Sequence, residues 1–159
     1  TLNCIVLLAR GQYDQNNYRL LDVLSKFKQS RKIEVSIKPH PTDNISKLTE
    51  LCKKYEFNLI DGSRTIKELL SSGEFGFAIS YETTAYFEAM YYNLLCFRFS
   101  YEENESYGDF DDRFASPEEL EGLLVKYSTE KLEEISANVE KNLCYEIGMG
   151  INRYRSILN

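Results

Sequence analysis

The single histidine of the chain, His40, stands between two of its three prolines in the stretch Ile37-Lys38-Pro39-His40-Pro41. A proline biases the residue before it toward extended backbone, so Pro39 acts on Lys38 and Pro41 on His40. The loop is therefore stiff, and its imidazole has a direction set in part by the chain itself. An imidazole beside a lysine can donate hydrogen bonds to a phosphate oxygen. The plain alternative is a rigid loop whose histidine caps a helix or satisfies a backbone carbonyl.

A second candidate lies in Ile79-Ser80-Tyr81-Glu82-Thr83-Thr84-Ala85-Tyr86-Phe87-Glu88-Ala89-Met90. A strand ends near Ile79 or Ser80, and a helix begins near Thr83. Hydroxyls at a helix start, with free N–H groups and the helix dipole behind them, suit an anion. Ser80, Thr83 and Thr84 are the candidate donors. Glu88, one turn further on, could accept hydrogen bonds from ribose hydroxyls. The alternative is an ordinary capped helix, with Thr83 or Ser80 as cap and Glu82 complementing the dipole. Glu82 would also repel a phosphate.

The elements that must position these residues are legible from periodicity. Cys4 to Leu8 is a continuous apolar run, as in a strand buried on both faces. A polar loop, Arg10-Gly11-Gln12, follows it. Leu20, Val23, Leu24 and Phe27 recur at helical spacing. Ile33 to Ile37 alternates as a strand, and Ile45, Leu48, Cys52 and Tyr55 mark a second helix. Phe57 to Ile60 is a short strand. Thr65 with Glu68 forms a capping box opening a short helix through Leu70, which Gly73 ends. Strands over Phe75–Ile79 and Leu94–Phe99 flank the helix from Thr83 to Met90. An acidic loop, Tyr101 to Arg113, precedes a strong helix start at Ser116-Pro117-Glu118-Glu119. Leu120, Leu123, Leu124 and Tyr127 are the stripe of that helix, and Leu132, Ile135 and Val139 suggest another.

Alternating strands and helices predict an α/β fold: a three-layer, Rossmann-like open parallel sheet of about five to six strands, with helices on both faces. Ligands of such sheets sit beyond the carboxyl ends of the strands, at the point where strand order reverses. Both candidate stretches fall at such ends.

The totals exclude several classes. The chain has 159 residues, enough for one domain with a proper core. A net charge of −6 argues against nucleic-acid binding, which needs clustered Lys and Arg. No apolar run approaches the roughly 18 residues of a membrane span, and no signal-peptide pattern is visible. Cys4, Cys52, Cys96 and Cys144 form no CxxC pair, so metal binding through cysteine is not expected; reduced thiols in a cytosol are. Asp109, Asp111 and Asp112 lack the spacing of a calcium loop. The expected metal set is none.

His40-Pro41, Thr83-Thr84 and Glu88-Ala89 together resemble the C-terminal, nucleotide-sugar-binding half of a GT-B glycosyltransferase. More narrowly, they resemble bacterial sialyltransferases and capsule polysaccharide transferases, which carry a His-Pro motif after one strand and a Ser/Thr pair at a later helix start. The resemblance implies that His40, Thr83 and Thr84 hold a cytidine nucleotide through its phosphate. His40 is the implied catalytic residue, and Lys38, Pro41, Ser80 and Glu88 the accompanying contacts. Arg10, Gly11 and Gln12 would face the cleft between domains. The departures are a Thr-Thr pair where Ser is commoner, Glu82 beside the phosphate, and Asn93 where relatives have glycine.

The resemblance implies metal-independent, inverting transfer from a nucleotide-sugar donor, CMP-sialic acid being the best match, with no cofactor. Residues 1–159 would be one nucleotide-binding domain. Because the chain opens directly into a strand without Met, it is expected to be a fragment lacking an N-terminal acceptor-binding domain, inactive alone. That domain would supply the catalytic base and bind the glycan or glycolipid acceptor. The full protein would work in the cytoplasm, at the inner membrane face if the acceptor is lipid-linked. A CDP-glycerol-type phosphotransferase and a sugar-nucleotide epimerase on the same fold are the alternatives. A non-catalytic interaction domain is another, given twelve tyrosines and nine phenylalanines. A response receiver fits poorly, because Ala9-Arg10-Gly11 replaces the acids expected after the first strand.

Overall fold

Strand β1, Leu2–Leu7, is the centre of the molecule, and from Cys4 onward every residue is buried. The computed structural model describes residues 2–11, 14–81, 83–100 and 112–127. A strand covered on both faces can afford no polar alternation, which is why this run is apolar throughout. Helix α1 (Asp14–Ser30) follows, then β2 (Ile33–Lys38), α2 (Ile45–Tyr55), β3 (Asn58–Leu59) and α3 (Ile66–Leu70). The second part adds β4 (Phe77–Ser80), α4 (Ala85–Tyr91), β5 (Cys96–Phe99), β6 (Arg113–Phe114) and α5 (Pro117–Tyr127).

The six strands form one sheet in the order β3-β2-β1-β4-β5-β6. Every pairing is parallel, with Cys4 level with Val35 on one side and with Phe77 on the other. The chain works outward from β1 to β3, returns through α3 to β4, and then works outward the other way. The order therefore reverses between β1 and β4. Right-handed crossovers place α1 and α2 on one face and α4 on the other. The α1 face also receives α5, tied to it by the Arg31–Glu121 ion pair.

Packing follows the stripes. Leu20, Leu21, Leu24 and Phe27 of α1 are essentially inaccessible against the sheet; burying each such side chain stabilises by about 2–3 kcal/mol. Phe97 of β5 meets Phe77 edge-on and lies against Tyr127 of α5. Arg98 and Asp112, both buried, face each other bidentately at 2.8 and 2.9 Å. That pair closes β5 onto the start of β6.

Several boundaries differ from the sequence expectation. The fourth strand begins at Phe77, because Gly76 is held by the Asn3 carbonyl before the ladder starts. The fifth begins at Cys96: Asn93 takes a left-handed turn (φ 56°) after α4, and two residues pass before the ladder resumes. The Asn93 conformation is the one its residue type suits. The sixth strand uses Arg113 and Phe114, at the end of the expected loop. Most of that loop, and the helix expected around Leu132, Ile135 and Val139, lie outside the described residues.

Candidate functional site

The site is built from the loops leaving β1, β2 and β4, which are neighbours in the sheet. The β1 loop is anchored first. Asn17, buried within α1, accepts from the Ala9 N–H at 3.3 Å and donates to the Ala9 carbonyl at 3.1 Å. One amide side chain thus satisfies both backbone groups of a residue that has left the ladder. The chain then emerges at Arg10, which is exposed, and at Gly11.

The β2 loop is a tight turn around His40. The Asp43 N–H donates to the His40 carbonyl at 3.0 Å, and the His40 N–H donates to Asp43 Oδ2 at 2.7 Å. Pro41 occupies the second position of this four-residue turn, where its fixed φ is favourable. The Thr42 N–H points at His40 Nδ1 (3.2 Å), and Thr42 Oγ1 lies 2.8 Å from the same nitrogen. Thr42 Oγ1 also accepts from the Gly11 N–H at 3.2 Å. Thr42 therefore joins the first loop to the histidine loop. A backbone N–H can only donate, so this contact suits a ring whose Nδ1 accepts and whose proton is on Nε2. The imidazole is half-buried.

Lys38 turns away from this pair. Its Nζ lies 3.4 Å from the Gly62 carbonyl in the loop after β3. Asp61 beside it is held below the usual carboxylate range by hydrogen bonds from Ser63 first, with Lys38 adding a smaller attraction.

On the other side of β1, Ser80 is the last residue of β4 and is buried. Thr83 Oγ1 accepts from the Ala85 N–H at 3.3 Å, as a cap does. Thr84, at the N-cap position, makes no side-chain cap bond and is exposed, as is Glu88. This loop is tied to the first: Asn16 of α1 donates to the Tyr81 hydroxyl at 2.6 Å, and the Tyr81 ring meets Phe99 edge-on. Gln12 and Glu82 lie outside the described residues.

The structure thus brings Gly11 and His40 together through Thr42, and links the β1 and β4 loops through Asn16 and Tyr81. Thr42, Asp43, Asn16 and Asn17 were not singled out from sequence. Thr42 had a usable signal, a hydroxyl two residues after a histidine in a proline turn. Asn17 had none, because a polar residue in a helix reads as solvent-facing. Among the described residues no cluster of three or more His, Cys, Asp or Glu could hold a metal ion. No described helix is long and apolar enough to cross a membrane.

No protein-family profile matches the chain, and no curated protein matches it in sequence. Among solved structures, it is similar to the catalytic domain of cholesterol-α-glucosyltransferase from Helicobacter pylori. The TM-score is 0.60 at 14% identity, covering 89% of this chain and 97% of that one. The likeness is one of fold. The expected Rossmann-like α/β architecture is present, an open six-stranded parallel sheet whose fold is like that of this glucosyltransferase catalytic domain.

Proposed function

We propose that this chain is the nucleotide-sugar-binding part of a bacterial glycosyltransferase that builds surface polysaccharide or lipooligosaccharide. The observation that carries the reading is the Gly11–Thr42–His40 junction beside the reversal of strand order, where open parallel sheets bind nucleotides. Likeness of fold to a glycosyltransferase catalytic domain supports it.

His40 donates from Nε2 to the phosphate of the donor. Thr83 and Thr84 add hydroxyl contacts, and Glu88 takes the ribose. Arg10 and Gly11 line the mouth of the site. Such donors would stabilise charge on the departing nucleotide as the glycosidic bond breaks, the step where fixed hydrogen bonds contribute most. The donor we favour is CMP-sialic acid, transferred with inversion and without a metal. The base that deprotonates the acceptor hydroxyl, and the acceptor's own site, belong to a further domain on the N-terminal side.

Isothermal calorimetry with CMP, CDP and UDP tests this. CMP should bind, and His40→Ala should weaken it about tenfold, equivalent to roughly 1.4 kcal/mol. Preference for CDP or UDP keeps the nucleotide site and changes the donor. Absence of binding by all three counts against a nucleotide site formed by this chain.

A further inference from the structure

We propose that Thr42 is a positioning residue that holds His40 in a single tautomer and seats it against the first loop. The proposal rests on the reading of His40 as a phosphate donor, and deepens it. An imidazole can serve a phosphate only through a nitrogen that carries a proton. In neutral histidine the proton can sit on either nitrogen, so an unconstrained ring offers the required donor only part of the time. Here Nδ1 faces two donors from one residue, the Thr42 N–H at 3.2 Å and the Thr42 hydroxyl at 2.8 Å. The backbone donor cannot reverse its role, so the hydroxyl also donates to Nδ1. The lone pairs of Oγ1 then face the Gly11 N–H, 3.2 Å away. The donor chain therefore runs in one direction, from Gly11 through Thr42 to Nδ1, and leaves the proton on Nε2.

The same side chain sets position as well as protonation. The Asp43 carboxylate and the His40 carbonyl hold the backbone of the turn. They leave rotation of the ring free. Thr42 Oγ1 removes that freedom and registers the ring to the end of β1. Thr42 is itself exposed, so its replacement removes hydrogen bonds without opening a cavity in the core.

His40 is the single histidine of the chain, so nitrogen NMR of the histidine-labelled protein reads this ring alone. The wild type should show Nδ1 unprotonated and Nε2 protonated in long-range proton–nitrogen spectra. Thr42→Val keeps the backbone donor but removes the hydroxyl that seats the ring, so it should shift both nitrogens partway toward the averaged positions of an exchanging ring and weaken CMP about tenfold. Thr42→Ser should restore both. A wild-type ring protonated on Nδ1, or a Thr42→Val ring indistinguishable from wild type, would overturn the assignment. The ring measurement needs no nucleotide. If the ring behaves as expected and CMP does not bind, the tautomer lock stands and the donor reading alone fails.

Discussion

Asn17 shows how much one side chain can decide at the edge of a parallel sheet. Past Leu8 the chain has no strand partner for the Ala9 N–H and carbonyl, yet Ala9 is buried. The two Asn17 hydrogen bonds replace the missing ladder and let the chain leave β1 at a defined angle. Asn17→Ala would leave a buried N–H and a buried carbonyl unsatisfied, each costing about 1–3 kcal/mol. We expect a loss of about 3 kcal/mol in urea unfolding, with Asn17→Asp no better, because its second oxygen would face the Ala9 carbonyl. A loss within 0.5 kcal/mol, the order of an ordinary surface substitution, would mean that water takes over this role. His40 makes a related point. Its prolines announce a rigid loop, but the ring's orientation comes from Thr42, and only the folded turn brings the Gly11 N–H to that hydroxyl.

At the scale of elements, helix ends carry most of the local information. The Thr65–Glu68 capping box expected from sequence is present with both bonds formed. The C-terminal end of α2 is less favourable. Glu56 there adopts a left-handed conformation, φ 56° and ψ 42°, while its N–H closes onto the last turn. Side chains with a Cβ resist that region by about 1–2 kcal/mol, and glycine does not. The Glu56 carboxylate is largely exposed and 3.9 Å from Lys28, a distance at which an exposed pair adds little. The Lys28 hydrogen bond goes to the Glu56 carbonyl, which a glycine keeps. Glu56→Gly should therefore raise stability by about 1 kcal/mol, visible as a higher melting temperature. A lower one would show that the carboxylate matters more than the backbone strain.

The whole molecule buries groups that ionise only at alkaline pH. Burial pushes the Cys52 thiol up to about 11 and raises Cys4 and Cys96 further. The Tyr86 phenol is raised by burial first and by the nearby Asp112 charge second. Unfolded, the thiols give up protons near pH 9 and the phenol near 10. All these folded values lie above the unfolded ones, so above pH 9 the unfolded chain binds fewer protons than the native one. The contribution is complete below pH 9 and is lost as pH rises, by about 1.4 kcal/mol per pH unit for each group fully titrating only in the unfolded chain. The Cys52 share levels off above about 11. Urea midpoints measured from pH 8 to 11 should fall steadily, and Tyr86→Phe should flatten the part above 10. A flat profile in the wild type would show that these groups titrate alike in both states.

The order of elements, the parallel sheet and the location of both candidate loops were determined by sequence alone. Hydrophobic period, proline and capping residues act over a few positions, and the run from Cys4 to Leu8 admits little but a central parallel strand. The start of β4, the short β6 and the roles of Thr42 and Asn16 were decided by tertiary structure. Each depends on a partner far along the chain: Gly76 on Asn3, Arg98 on Asp112, Thr42 on Gly11, Asn16 on Tyr81. A hydrogen bond carries no periodicity. Its partner becomes visible only when the sheet brings β1, β2 and β4 side by side.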